Sequence, residues 1–336
     1  MRKTVYVDEH IPLIGHIAFG VIDRGTNVIQ IRATTICHLN CIFCSVDAGP
    51  NSRHRRTEYI VDLDWLLEWV KAVVEIKGSD VEALIDGVGE PATYPKLIEL
   101  VQGLKDIKGI RSVALQTRGY TLTYELVKEL EEAGLDRINL SLDALDNTIA
   151  SKLYGVKEFN NNKIIELAEY IAKETKIDLH VAPLWVPGYN DNEIPKIIEW
   201  VKRIGAGKRW PPIGIQKYIE HKYGRKPPNV REWSWSEFYS KLKELEAKHN
   251  FRLIYTSEEF MMHPAPRVPI IYRVGQRLRV EVIEDGWLKG EKLAVPKDRK
   301  RVITVIKALR IEVGDVIDVR ITRNKDNIYI AKPLGY

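Results

Sequence analysis

All three cysteines of the 336-residue chain fall within eight positions, Cys37-His38-Leu39-Asn40-Cys41-Ile42-Phe43-Cys44. The spacing is C-x3-C-x2-C, which random placement would produce with a probability on the order of 10⁻⁴ or less. Thiolates this close together can hold a metal. Structural zinc wants a fourth protein ligand, and His38, between two of the thiols, is badly placed to point the same way. Iron–sulfur clusters are commonly held by four cysteines. With three, a [4Fe–4S] cluster keeps one iron open for a small molecule, as a catalytic metal needs. Zinc and three inert buried thiols are the alternatives. The cysteine count excludes a disulfide scaffold and a second cysteine-ligated cluster.

The elements that position this motif read as strand and helix in alternation. Gly15–Ile22 and Asn27–Thr34 form an expected hairpin turned by Asp23-Arg24-Gly25-Thr26, and the cysteines follow its second strand. Leu63–Ile76, Leu97–Ile107, Thr123–Ala133, Asn162–Ala172, Ile194–Ile204 and Trp235–His249 carry apolar residues at helical spacing. Between them Val81–Ile85, Ser112–Gln116, Arg137–Leu142, Ile177–Pro183, Ile213–Gln216 and Phe251–Tyr255 are strand-like. Six βα units predict an α/β fold of parallel strands covered by helices, with functional residues at the strands' C-terminal ends. From Pro264 the pattern changes to short strands (Ile270–Val274, Leu278–Ile283, Val302–Ile306, Val316–Ile321, Ile328–Ala331), a small all-β, barrel-like module. The expected organisation is an N-terminal β extension (1–24), a catalytic barrel (25–260) and the β module (265–336).

Composition is globular, with 45% hydrophobic and 29% charged residues. No apolar run is long enough to span a bilayer, and Met1–His10 has no secretory character. A cytoplasmic location without a membrane partner is expected. Five glutamines against many Lys and Glu suit a thermophile.

The cysteine motif, with Phe43 before its last member, resembles the cluster motif of the radical S-adenosylmethionine (radical SAM) superfamily. The resemblance spans roughly residues 25–255 and implies a partial (β/α)6 barrel. It implies a [4Fe–4S] cluster on Cys37, Cys41 and Cys44 that binds S-adenosylmethionine through its open iron, and a low-potential electron donor such as a ferredoxin. Cofactor cleavage would yield a 5′-deoxyadenosyl radical that takes a hydrogen atom from substrate. Gly87-Val88-Gly89-Glu90-Pro91, after the second strand of the alternating region, resembles the family's Gly-Gly-Glu motif, with Val88 where Gly is usual. Gly87, Gly89 and Glu90 are thereby implied at the cofactor's amino group, Thr117 and Arg118 near its carboxylate, Ser141 and Asp143 at the ribose, and Phe43 beside them. The same residues also suit plainer roles: a βα loop, a surface arginine, and a helix cap at Asp143 or Asp146. Asn190 or Asp191 reads as a cap of the next helix, and His180 as a core or cavity histidine. Family members that methylate RNA through a cysteine carrier, or take sulfur from an auxiliary cluster, need cysteines absent here.

The chain carries a net charge of +5, but residues 265–336 alone, with 16 Lys+Arg against 9 Asp+Glu, carry +7. Arg203–Glu232 adds eight cations against two Glu, interleaved with Trp210, Tyr218 and Tyr223. Cations for phosphates and aromatic faces for bases are the needs of RNA recognition. The tail resembles TRAM-type or OB-like modules of tRNA-modifying enzymes. The expectation is a radical SAM enzyme acting on RNA, on a tRNA nucleoside in first place; a protein, a peptide or a small metabolite is the alternative substrate. Gln216, Lys222, Arg225, Lys297, Arg299, Lys300 and Arg301 are the candidate substrate contacts, and the last four form a dense loop between strands.

Overall fold

The computed structural model describes residues 2–335. Its chain gathers into two compact units. One takes the N-terminal residues up to Ile36, Arg53–Arg111 and everything from Pro264 on; the other takes Cys37–Ser52 and Ser112–His263.

In the first unit β1 (Lys3–Val7) lies parallel to β4 (Thr57–Val61), while β2 (Gly20–Asp23) is antiparallel to β3 (Val28–Arg32). Helix α1 (Leu63–Lys77) starts where the Asp62 carboxylate accepts the Trp65 N–H and stops at Gly78, φ 91°. Its buried stripe is Leu66, Val70, Val73 and Val74. Strand β5 (Val81–Ile85) then pairs in parallel with β3. Helix α2 (Leu97–Asp106) follows, and its Gly103 admits Leu67 of α1, whose methyl carbon a Cβ there would meet at 2.4 Å. At the end of α1 the buried Lys77 ammonium lies 2.7 Å from Asp23, 2.8 Å from the Thr26 carbonyl and 3.0 Å from the Pro266 carbonyl.

In the second unit β6 (Ile110–Thr117), β7 (Arg137–Leu140) and β8 (Asp178–Val181) run parallel. Helices α3 (Tyr124–Glu132), α4 (Asn147–Tyr154), α5 (Asn161–Glu174) and α6 (Glu193–Ile204) alternate with them, and α5 packs on β8. The pair β9 (Leu184–Trp185) and β10 (Gln216–Lys217) and helix α7 (Trp235–His249) complete it. Helix α4 is an element that periodicity did not reveal. The expected strand at Ile213–Gln216 contracts to one bridge from Ile213 to Val181 and the two residues of β10. Phe251–Tyr255 is not a strand, because the Leu253 and Ile254 N–H groups donate to the Glu246 carboxylate instead of a ladder.

The C-terminal module is a closed five-stranded barrel in the order β11-β12-β13-β15-β14. Its strands are β11 (Arg277–Asp285), β12 (Glu291–Pro296), β13 (Ile303–Ile306), β14 (Val316–Arg323) and β15 (Ile330–Pro333). All neighbours are antiparallel except β13 with β15. Strand β12 escaped the sequence reading. Ile270–Val274 is not a strand: the Ile271 and Arg273 N–H groups donate to the Tyr329 hydroxyl and the Gln276 side chain. The barrel core holds Val280, Val282, Ile303, Val305, Val319 and Tyr329. Main-chain bonds stitch the module to the rest of the first unit: Val302 N–H to Ile14, Tyr329 N–H to Gly15, Arg56 N–H to Trp287, and Lys289 N–H to His54. Gly15 is obligatory there, at φ 136° with a Cβ position 1.9 Å from the Val302 carbonyl. Among the described residues no helix is long and apolar enough to cross a membrane.

Asp23 also accepts the Val268 N–H, so it ties α1, the β2–β3 turn and the segment entering the module. Asp23→Ala leaves a buried ammonium without its counter-charge and should cost about 3–5 kcal/mol. Denaturant unfolding checks this, and a loss below about 1 kcal/mol would remove the knot's importance.

Candidate functional site

The cysteine loop rests on α4. Asn40 N–H donates to the Tyr154 carbonyl (3.0 Å) and Ile42 N–H to that of Leu153 (2.9 Å). Helix α4 stops at Gly155, φ 64°, where a Cβ would stand 2.3 Å from the Asn40 carbonyl oxygen. On its other flank Arg225 donates its N–H to the Cys44 carbonyl, and its guanidinium to the Ala48 carbonyl beside the Asp47 carboxylate. Cys41 is buried and Cys37 and Cys44 half-buried. The Ala48 N–H points at the Cys44 sulfur (3.2 Å).

Above the loop stands an ion pair at the strand ends, with Arg118 Nη1 2.6 Å from Asp143 Oδ2. Asp143 is fully buried. Its other oxygen accepts the Leu184 N–H, its own N–H donates to the Tyr154 hydroxyl, and its carbonyl accepts from the Asn190 amide. Asn190 is therefore a brace of Asp143, and α6 begins after Asn192. The Arg118 guanidinium lies 4.7 Å from the Tyr154 ring centre and 5.2 Å from that of Phe43. Burial pushes the Cys41 thiol up to about 12, against the pull of Arg118 and with the push of Cys44, Cys37 and Asp143. Burial disfavours the Arg118 charge too, and the Cys41 and Asp143 charges overcome that, holding it well above the usual range.

One residue pair below these strand ends, three uncharged polar side chains share a single row. Gln116 of β6 is opposite Asn139 of β7, which is opposite His180 of β8. They alternate with the buried Leu115, Leu140 and Leu179, and Leu140 faces Ile164 of α5 across Gly119. Each is oriented by a second group. The Gln116 amide N–H donates to Ser141 Oγ (2.7 Å), and Arg137 donates to Asn139 Oδ1 (2.8 Å). His180 Nδ1 donates to the Pro211 carbonyl (2.6 Å), which fixes its tautomer. Gln116 Oε1, Asn139 Nδ2 and His180 Nε2 remain as acceptor, donor and acceptor. A Cβ at Gly214 would stand 2.8 Å from His180 Nε2, and the Phe260 ring meets the imidazole edge-on at 5.3 Å. Burial lowers the His180 pKa to about 4. Sequence reading reached Gln116 only as a neighbour of Thr117 and missed Asn139 and Tyr154. Their signal was alternation with apolar residues for Asn139 and the helix-ending Gly155 for Tyr154.

Thr117 and Ser141 are joined through main chain, Ser141 N–H to Thr117 O, and the Thr117 hydroxyl accepts the Gly119 N–H. In the first unit the Gly87–Glu90 loop lies on the chain leading to the first cysteine. A Cβ on Gly89 would stand 2.3 Å from the Thr35 carbonyl and 2.5 Å from that of Ile36, and one on Gly87 would stand 3.2 Å from the Thr34 carbonyl oxygen. Glu90 N–H donates to Ile36 O, and the Glu90 carboxylate caps the turn Pro91–Thr93 through the Ala92 N–H. The proposed substrate contacts are scattered. Gln216 is exposed on β10, and exposed Lys222 lies over Tyr223. Arg225, expected at an RNA surface, is instead a brace of the cysteine loop. Lys297 and Lys300 are exposed, but Arg301 is buried against the Lys300 and Pro269 carbonyls and Arg299 is held by Glu281 and His10.

Three thiols on one short loop, one of them beside a fixed guanidinium, fit a [4Fe–4S] cluster. A cubane seats each thiolate on a different iron, whereas a single ion needs its donors to converge. Among the described residues no three His, Cys, Asp or Glu side chains converge in that way. Gly155→Ala should push the Asn40 carbonyl aside, distort the loop and lower bound iron several-fold. Iron and sulfide analysis of anaerobically reconstituted protein measures this; iron at the wild-type level would show that the loop does not depend on Gly155.

Comparison with known proteins shows the family. The family model described as the Radical SAM superfamily matches residues 31–201. An uncharacterized protein of Methanocaldococcus jannaschii is 43% identical over 98% of this chain and 81% of its own length. The GTP 3′,8-cyclase of Aquifex aeolicus is 27% identical over 74% of this chain and 69% of its own. Streptococcus suis SuiB bound to S-adenosylmethionine shares the fold, with a TM-score of 0.50 at 16% identity, over 72% of this chain and 51% of that one. The chain belongs to the radical SAM superfamily, whose members are enzymes that use a [4Fe–4S] cluster and S-adenosylmethionine.

Proposed function

We propose that this enzyme takes a hydrogen atom from a nucleoside in RNA, in tRNA in first place, with the base held against Gln116, Asn139 and His180. The observation that carries the reading is that row of three oriented, uncharged hydrogen-bonding groups beside Ser141, Arg118 and Asp143. A carboxylate or phosphate in such a place would call for a cation, whereas the edge of an unstacked base calls for neutral donors and acceptors with an aromatic wall. Phe260, in contact with His180, would serve as that wall. When bound, the cluster on Cys37, Cys41 and Cys44 supplies the electron that cleaves S-adenosylmethionine and so the hydrogen abstraction. Arg118, Thr117, Ser141 and Asp143 would hold the cofactor's polar groups, Phe43 its neighbourhood, and Gly87, Gly89 and Glu90 its amino group. A ferredoxin-like donor would reduce the cluster, and the work would be done in the cytoplasm.

A second reading, a free nucleotide as substrate, is favoured by the cyclase relatives and by one correction. The basic segment Arg203–Glu232 is neutralised within the fold. Arg203, Arg209, Lys217, Arg225, Lys226 and Arg231 all sit in ion pairs, and Lys208 donates to three carbonyls. It offers little to a polymer backbone.

Nucleoside mass spectrometry of bulk tRNA from a deletion strain should show one modified nucleoside lost. Reduced enzyme should release 5′-deoxyadenosine on addition of that tRNA. Release with GTP and none with tRNA would turn the assignment to the second reading.

The row also predicts a pH dependence. Burial holds the folded His180 pKa at about 4, below the 6.5 of an ordinary imidazole. The unfolded chain therefore binds the extra proton between these values, so this contribution is complete above about pH 6.5 and is lost as pH falls toward 4. His16, lowered to about 3 by burial and then by Arg32, acts in the same direction. His180→Gln should flatten the fall in unfolding free energy between pH 6.5 and 4.5. An unchanged slope would mean that the imidazole is solvated.

A further inference from the structure

We infer that the outward face of β11, β14 and β15 docks the phosphate backbone of RNA through Arg277, Arg320 and Lys332. The nature of the polymer rests on the RNA reading above; the surface itself does not. The ladder pairs Arg277 with Arg320 and Arg320 with Lys332, so three cations occupy one row across three strands. Their intervening neighbours Val280, Ile317, Val319, Ile321 and Ala331 fill the barrel, and the three cations are exposed.

This arrangement works against the fold. Like charges directly opposite one another destabilise a sheet. Among the described residues none of the three has an ion pair or a side-chain hydrogen bond, whereas Lys3, Arg24, Lys292 and Arg299 of the same unit each close on a carboxylate. Asp318 stands in the next row opposite Arg279, so the triad holds no carboxylate of its own. Adjacent strands lie about 4.8 Å apart, so three long side chains stand side by side on one face.

The rest of the module excludes the usual alternative. Five-stranded Greek-key barrels of the OB type bind oligonucleotides on their second and third strands and on the loops after the first and fourth. Here those parts are used internally. The β11–β12 loop is bonded to His54 and Arg56, the β14–β15 loop to Gly15 and Arg24, and Val302 at the start of β13 to Ile14. The open face is the one with the cations. Its surface neighbours Arg279, Asp318 and Thr322 are polar, whereas the core of a protein interface is depleted of charge.

The test is fluorescence anisotropy of the full-length holoenzyme with a 20-nucleotide single-stranded RNA, repeated with bulk tRNA, over a series of NaCl concentrations. For the oligonucleotide, each phosphate contact contributes about 0.7 to the slope of log K against log salt. The triple variant R277Q/R320Q/K332Q should lose about 2 from the slope and bind more than tenfold more weakly at low salt. D318K adds a cation beside the row and should steepen the slope, while K297Q/K300Q should bind as wild type. An unchanged slope in the triple variant, no gain in D318K, or equal binding of polyglutamate would overturn the surface. The two claims fail separately. Loss of RNA binding in the triple variant with an unaltered deletion-strain tRNA keeps the surface and discards the modification. A triple variant that binds RNA and restores the missing nucleoside does the reverse.

Discussion

The Arg118–Asp143 pair is the interaction on which the site depends. A buried ion pair repays its desolvation only with excellent geometry and with its remaining lone pairs satisfied, and Asp143 meets both conditions. Its two oxygens take Arg118 and the Leu184 N–H, and its main chain takes Tyr154 and Asn190. One residue, through its side chain and main chain together, thereby fixes the ends of β6 and β7, the loop after β8 and the end of α4. Because α4 carries the cysteine loop on its last carbonyls, the position of the thiols follows from the sheet. The pair also has an electrostatic effect. Thiolates bind metal, and burial resists their formation at Cys41; the guanidinium beside it offsets that resistance.

The first unit is held by a comparable device of different shape. Lys77 ends α1 with a charge that exposed helices leave in water, yet here it is buried on Asp23 and two carbonyls. One of those carbonyls belongs to Pro266, so the chain's entry into the C-terminal module is fixed by the same ammonium that ends α1. The Gly87–Glu90 loop is set in that unit by closeness of backbone to backbone, which is why glycine stands at 89. Glu90 caps its own turn, so the carboxylate implied at a ligand also holds the loop that presents it.

Spacing in one dimension made much of this legible. The cysteines, the glycine loop and the strand ends at Thr117 and Ser141 lie in contiguous runs, and the periodicity of α1, α2, α5 and α6 is that of buried stripes. What escaped depends on partners that local periodicity does not register. Arg225 looks like a free cation beside its own neighbours, and only the fold brings it to Cys44, 181 residues earlier. Phe251–Tyr255 has strand composition, but Glu246 captures its N–H groups first. The row of Gln116, Asn139 and His180 exists only after three strands are in register.

The two basic features of the sequence met different fates for one physical reason. In Arg203–Glu232 the cations lie on loops and helix ends, where long side chains can turn to carboxylates on neighbouring elements, among them Glu169, Asp136 and Glu237. On a strand, alternation fixes the face a side chain takes and register fixes its neighbours, so a cation closes on a carboxylate only where register supplies one, as Asp285 does for Lys292. Arg277, Arg320 and Lys332 are bound by that constraint and remain in solvent, where hydration keeps the cost of three adjacent charges small. The same economy explains the neutral row inside the second unit. Charge is expensive to bury without a partner, so the groups proposed to meet a base out of water are amides and an imidazole held uncharged, and those proposed to meet a backbone in water are cations. A nucleic acid offers both kinds of surface, a neutral base to be taken out of water and an anionic backbone that stays in it.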